Sequence, residues 1–115
     1  MNHTEGRVLL FKVLANPVRL RLVEALSGGE MSVSELVRAV RESQARVSHE
    51  LRCLSVCGLV NFKREGKFVF YSLNEATVLP ILRAADKHVE KFTDRMKGCD
   101  MISEAKRMMV HELTV

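Results

Sequence analysis

At 115 residues the chain can bury one hydrophobic core but not comfortably two, and its 47% apolar, 28% charged composition is that of a folding chain, not a disordered one. Lysine and arginine outnumber aspartate and glutamate by 18 to 14, a balance that suits a polyanionic partner without proving one. No apolar run is long enough for a signal peptide or a spanning helix, so no membrane role and a cytoplasmic location are predicted. In the cytoplasm the three cysteines, an odd number, stay mostly reduced.

Apolar residues between Val8 and Leu14 predict a first helix that ends near Asn16, because Pro17 disfavours helical backbone in the residue before it. Pro17 suits the first turn of a second helix, which carries Val18, Leu20, Leu22, Val23, Ala25 and Leu26 inward and stops at Ser27-Gly28-Gly29. Ser32-Val33-Ser34-Glu35 has the spacing of a capping box, so a third helix starts there and runs to about Val40. Ser43 is the N-cap of a fourth, with Val47, Leu51 and Leu54 as its apolar stripe and Gly58 as its terminator. Two short helices joined by a tight connection make a helix-turn-helix. The period then changes: residues 59–64 and 67–73 are β-rich and flank Glu65-Gly66, a hairpin wing. Beyond Asn74, apolar residues at 78, 82, 85, 89, 92 and 96 form a helical seam that a domain this small can hardly cover, which predicts a C2 homodimer assisted by the first helix. A break at Gly98 precedes an amphipathic tail whose methionines suit packing.

The predicted fold is thus mainly α (α+β): one winged helix-turn-helix domain over residues 1–115. Within it the helix-turn-helix spans about 32–57, the two-stranded β-hairpin wing about 59–73, the dimerisation helix about 75–97 and the tail 98–115. With Val47, Leu51 and Leu54 inward, the fourth helix turns Gln44, Ala45, Ser48, His49 and Arg52 outward. Gln, Ser and Arg can address base edges or phosphates, and Lys63, Arg64 and Lys67 around the wing turn can anchor a DNA backbone. Ser43 and Arg46, in the first turn of the same helix, complete the predicted DNA-contact set, and double-stranded operator DNA is the predicted partner. No glycine-rich phosphate loop, nucleophile elbow, paired-carboxylate cleft or HExxH run is present, so no enzyme is predicted.

Several stretches together resemble the ArsR/SmtB family of metal-responsive repressors: Leu14-Ala15-Asn16-Pro17-Val18-Arg19-Leu20, Gln44 through Leu51, Gly58-Leu59-Val60, and Arg64-Glu65-Gly66-Lys67 through Tyr71-Ser72-Leu73. The resemblance implies apo-dimers that bind an operator palindrome and are released by an inducer.

Cys53 and Cys57 lie four residues apart on the fourth helix and share one face, so two thiolates there can close on one ion. Cys99, just past Gly98, can supply a third from the tail, from the same protomer or its partner. Buried cysteine is often only a small hydrophobe, but three sulfurs select a soft or thiophilic ion, cadmium, lead or arsenite, with zinc possible given a fourth ligand. The placement of these three also resembles the CmtR-type branch of the family, which implies a cadmium and lead sensor. The family's arsenic-sensing Cys-Val-Cys run is absent, Val33-Ser34-Glu35-Leu36-Val37 standing in its place. Asp86-Lys87-His88 resembles half of the family's dimer-helix zinc site, with Cys99 and Ile102 where the other half would be. A thiol redox switch and a winged-helix interaction module with structural cysteines are the competing readings.

Overall fold

The computed structural model describes residues 1–98 and Arg107, and the chain divides into two compact units, residues 1–78 and 79–115. In chain order the elements are α1 (His3–Leu14), α2 (Pro17–Leu26), β1 (Met31–Ser32), α3 (Val33–Val40), α4 (Gln44–Val56), β2 (Val60–Glu65), β3 (Phe68–Leu73) and α5 (Glu75–Lys97). This is the winged helix-turn-helix expected from the sequence, with two departures in its element content. First, α1 starts at His3 and not near Val8, because the Asn2 side chain caps it by accepting the Glu5 amide at 2.8 Å. Second, β1 adds a third strand, paired antiparallel to β3 through Met31↔Tyr71 and Ser32↔Phe70, so the sheet order is β1-β3-β2. Two residues are too few to show a period.

Local chemistry sets each helix boundary. Asn16 caps α2 by accepting from the Val18 and Arg19 amides, both at 3.0 Å, ahead of Pro17 at the first helical position. The capping box at α3 forms as expected: the Glu35 amide donates to Ser32 Oγ at 3.2 Å and the Ser32 amide to Glu35 Oε1 at 3.0 Å. These bonds to Ser32 hold the Glu35 carboxyl below its ordinary range. Ser43 caps α4 by accepting the Arg46 amide at 3.1 Å. The α3–α4 turn passes through Arg41, whose φ of 56° is left-handed in a residue that is not glycine. Arg21 braces that turn from α2, donating from Nη1 to the Val40 carbonyl at 2.6 Å and pairing with Glu42 at 3.3 Å.

The core of the first unit lies where α2, α3 and α4 meet the base of the wing. Leu22, Leu26, Leu36, Val47, Leu51 and Leu54 are all buried to within 1% of full coverage. Each such side chain contributes about 1.5 to 3 kcal/mol of transfer free energy, which fixes the angle at which α4 is presented. The hairpin turn falls at Gly66-Lys67, one residue later than expected, with φ at Gly66 of 62°. Helix α5 has the predicted span, and Gly98 follows in a turn. Of the predicted seam only Val78 is buried, while Val89 remains 47% exposed. On α1, Val8, Leu9 and Phe11 are also about half exposed or more. The amphipathic tail proposed for Met101 to Leu113 lies outside the described residues apart from Arg107.

Candidate nucleic-acid interface and thiol pair

Along β2 the side chains alternate, and the cross-strand pairs Phe62↔Tyr71 and Arg64↔Val69 put those four on one face. That face and the outer side of α4 enclose an open cleft of about 590 Å³. Of the predicted DNA contacts, Gln44, Ser48, Arg52, Arg64 and Lys67 line it. Ser43 is spent as the helix cap, and Ala45 is exposed outside the cleft. His49, 75% exposed, lies 3.7 Å from a Glu50 oxygen. Lys63 stands on the reverse face of the wing, its ammonium held by Glu65 at 3.1 Å and Glu30 at 3.3 Å, which together raise its pKa. Strand alternation, not nearness to the turn, decides this: Lys63 is one residue out of phase with Phe62 and Arg64 and so faces the other way.

Arg46, itself exposed, leans along α4 toward Glu50. Glu50 is a carboxylate only 3% exposed, in helical phase with Val47, Leu51 and Leu54 on the buried side of α4. Burying a charge is costly unless it is paired, so its position on the apolar stripe was itself a signal that a cation must meet it. Arg19 of α2 does so, with Nη1 3.4 Å from both carboxylate oxygens, and Arg46 adds a contact at 3.7 Å. The Arg19 guanidinium also donates from Nε to the Val13 carbonyl at 2.7 Å and from Nη2 to that of Lys12 at 3.5 Å. One side chain thus ties the last turn of α1 to the underside of α4.

The end of α4 positions the cysteines. Gly58, with φ 78°, lets the Leu59 amide reach back to the Leu54 carbonyl at 2.9 Å and its own amide to Ser55 at 3.1 Å, closing the helix in a Schellman turn. Cys57 therefore sits at the C-cap and not in the helix body, one turn beyond Cys53, with its amide on the Cys53 carbonyl at 3.1 Å. Cys53 is half-buried and Cys57 exposed. Partial desolvation raises the Cys57 thiol pKa, and the charge and hydrogen bond of Cys53 add to the rise, against a smaller opposing pull from Arg19. Among the described residues no group of three or more His, Cys, Asp or Glu side chains is arranged to hold an ion; Cys99 lies outside them. Asp86 and His88, two apart on α5, do not share a helix face, and the His88 ring rests on Phe92 at 4.7 Å.

A helix-turn-helix followed by a hairpin wing, with an open cleft between α4 and the wing, defines the winged helix-turn-helix class. Residues 16–61 match the family described as bacterial regulatory protein, arsR family. The solved structure of the transcriptional repressor BigR from Xylella fastidiosa superposes with a TM-score of 0.68 at 35% identity, covering 77% of this chain and 88% of that one. The chain belongs to the arsR family, a family of regulatory proteins and not of enzymes. The homodimeric winged helix-turn-helix DNA-binding domain Mb0332 from Mycobacterium bovis matches with a TM-score of 0.67 at 28% identity over 76% of this chain and 85% of that one. The cadmium resistance transcriptional regulatory protein CadC homologue of Staphylococcus aureus is 34% identical over 69% of this chain and 66% of its own length. The chain spans between 61% and 66% of the length of three curated relatives that it matches. Among the described residues no helix is long and apolar enough to cross a membrane.

Arg19→Ala would leave the Glu50 carboxylate buried with only its weaker, more exposed partners. The expected loss is about 3 kcal/mol of unfolding free energy, read from the urea midpoint at unchanged slope. The paired change Arg19→Met with Glu50→Leu should recover most of it, since a packed apolar pair often replaces a buried ion pair without loss.

Proposed function

We propose that the chain is a cytoplasmic, homodimeric, metal-responsive repressor that grips operator DNA with α4 and the wing and lets go when a soft ion occupies its cysteines. The observation that carries this reading is the position of Cys53 and Cys57: adjacent thiols on the last turn and cap of the helix whose outer face lines the cleft. Soft sulfur donors favour cadmium or lead, with arsenite or zinc as lesser alternatives, and Cys99 is the proposed third ligand. The likeness to a cadmium resistance regulator supports the same chemistry. DNA contact is assigned to Gln44, Ser48 and Arg52 on α4 and to Arg64 and Lys67 on the wing, with Lys63 as a strut behind it.

The competing redox reading is disfavoured by spacing, because two sulfurs four residues apart at the end of an unstrained helix do not readily close to the ~2 Å of a disulfide. An ion bridges them without that approach and displaces the thiol protons as it binds. Dimerisation is assigned to the uncovered seam of α5 and the exposed apolar residues of α1, supported by the homodimeric relative.

Cys53→Ser/Cys57→Ser protein should bind a duplex selected by the wild type from a random library as tightly as the wild type does, yet fail to release it on cadmium or lead addition. Release at the wild-type metal concentration, followed by fluorescence anisotropy, would move sensing away from α4. Val89→Glu should shift the sedimenting species from dimer to monomer by placing an unpaired carboxylate in the seam. A fully dimeric variant would mean that the seam is misplaced.

A further inference from the structure

The cleft has an apolar floor that base readout and phosphate contact do not use. Val56, at the last helical position of α4, is 82% exposed, and Phe62, on the inner face of β2, is 56% exposed. The two flank the same cleft, whose cationic residues are Arg52, Arg64 and Lys67. The Phe62 ring leans on Tyr71 at a centroid distance of 5.7 Å, which fixes its direction. Large apolar groups held at a cation-lined opening match a ligand that alternates anionic and apolar surface at short intervals. A sugar–phosphate strand is such a ligand, with a charged phosphodiester and then the hydrocarbon face of a deoxyribose.

Geometry selects the same occupant. If α4 lies in a major groove and the wing meets the neighbouring minor groove, one backbone strand must pass between them, over the floor of the cleft. We infer that Phe62 and Val56 are DNA-positioning residues that pack against the deoxyribose rings of this strand while Arg52, Arg64 and Lys67 take its phosphates. This rests on the DNA-binding reading proposed above and adds a sequence-neutral, salt-insensitive part to it. Neither side chain can hydrogen-bond a base edge, so neither contributes to base choice.

The test needs no known operator. Full-length wild type, Phe62→Ala, Val56→Ser and Arg64→Ala are titrated by anisotropy into a mixed-sequence DNA duplex over a series of salt concentrations. Phe62→Ala and Val56→Ser should each weaken binding by roughly fivefold to tenfold, from lost apolar burial, with the slope of log affinity on log salt unchanged. Arg64→Ala should flatten that slope by about one. Phe62→Leu, which keeps an apolar group on the strand, should retain most of the affinity, and the exposed helix-end position of Val56 guards against a wing that merely misfolds. Wild-type affinity in both floor variants overturns the inference, as does a loss seen only with a library-selected sequence, which would make Phe62 a base reader. A changed sedimentation coefficient of the free Phe62→Ala protein would overturn it too, assigning the floor to a second copy of the chain. Failure of the wild type to bind any duplex in a salt-dependent way would instead overturn the DNA-binding reading itself.

Discussion

The carboxylate of Glu50, buried beneath α4 and met by Arg19 from α2, constrains more of this molecule than any other single contact. A lone charge in that position would cost several kcal/mol, so α2 must approach α4 closely enough for the guanidinium to reach it. The same guanidinium takes the Val13 and Lys12 carbonyls, so where α1 ends also depends on it. Asn16, capping α2 through the Arg19 amide among others, sets the turn from which Arg19 projects. Together with Arg21 on the Val40 carbonyl, two arginines of one helix hold both members of the helix-turn-helix. The pair adds little stability beyond what an apolar filling would, but it ties the direction of α4 to that of α2.

That helix is asked to do several things along its length. Its first two turns offer Gln44 and Ser48 to the cleft, its inner side carries the apolar stripe and Glu50, and its last turn and cap hold the two thiols. The Schellman closure at Gly58 separates the thiol pair from β2 by a single tight turn. On the proposed reading, an ion that fixes the sulfur separation biases the angle between reader and wing. A coupling of about 1 to 3 kcal/mol is ordinary for such linkage and needs no large movement. Arg19, whose charge acts on Cys57, also holds the Val13 and Lys12 carbonyls of α1.

The elements were largely legible because their signals are local. Pro17, the Ser32–Glu35 box, Ser43 and Gly58 each name a boundary, and the structure places helix ends at all of them. What escaped was either too short or non-local. The two-residue β1 exists only because β3 offers it a partner. The extra turns of α1 depend on an Asn2 cap preceding a stretch without apolar period. Glu50 was read past because helix phase was applied to the apolar residues alone, and Lys63 because charge was counted without strand alternation. The cleft floor of Val56 and Phe62 could not be seen at all, since it joins residues of a helix and a strand that only the fold brings together.

The central claim is that the cysteine pair and the DNA-reading surface share one helix and therefore one equilibrium. Linkage makes this measurable from the metal side: the cadmium affinity of the free protein is compared with that of the protein saturated with its selected duplex, using sulfur-to-metal charge-transfer absorption. The account predicts that DNA weakens cadmium binding by the same factor, about tenfold or more, by which cadmium weakens DNA binding. Equal cadmium affinity in the free and DNA-bound protein would contradict it.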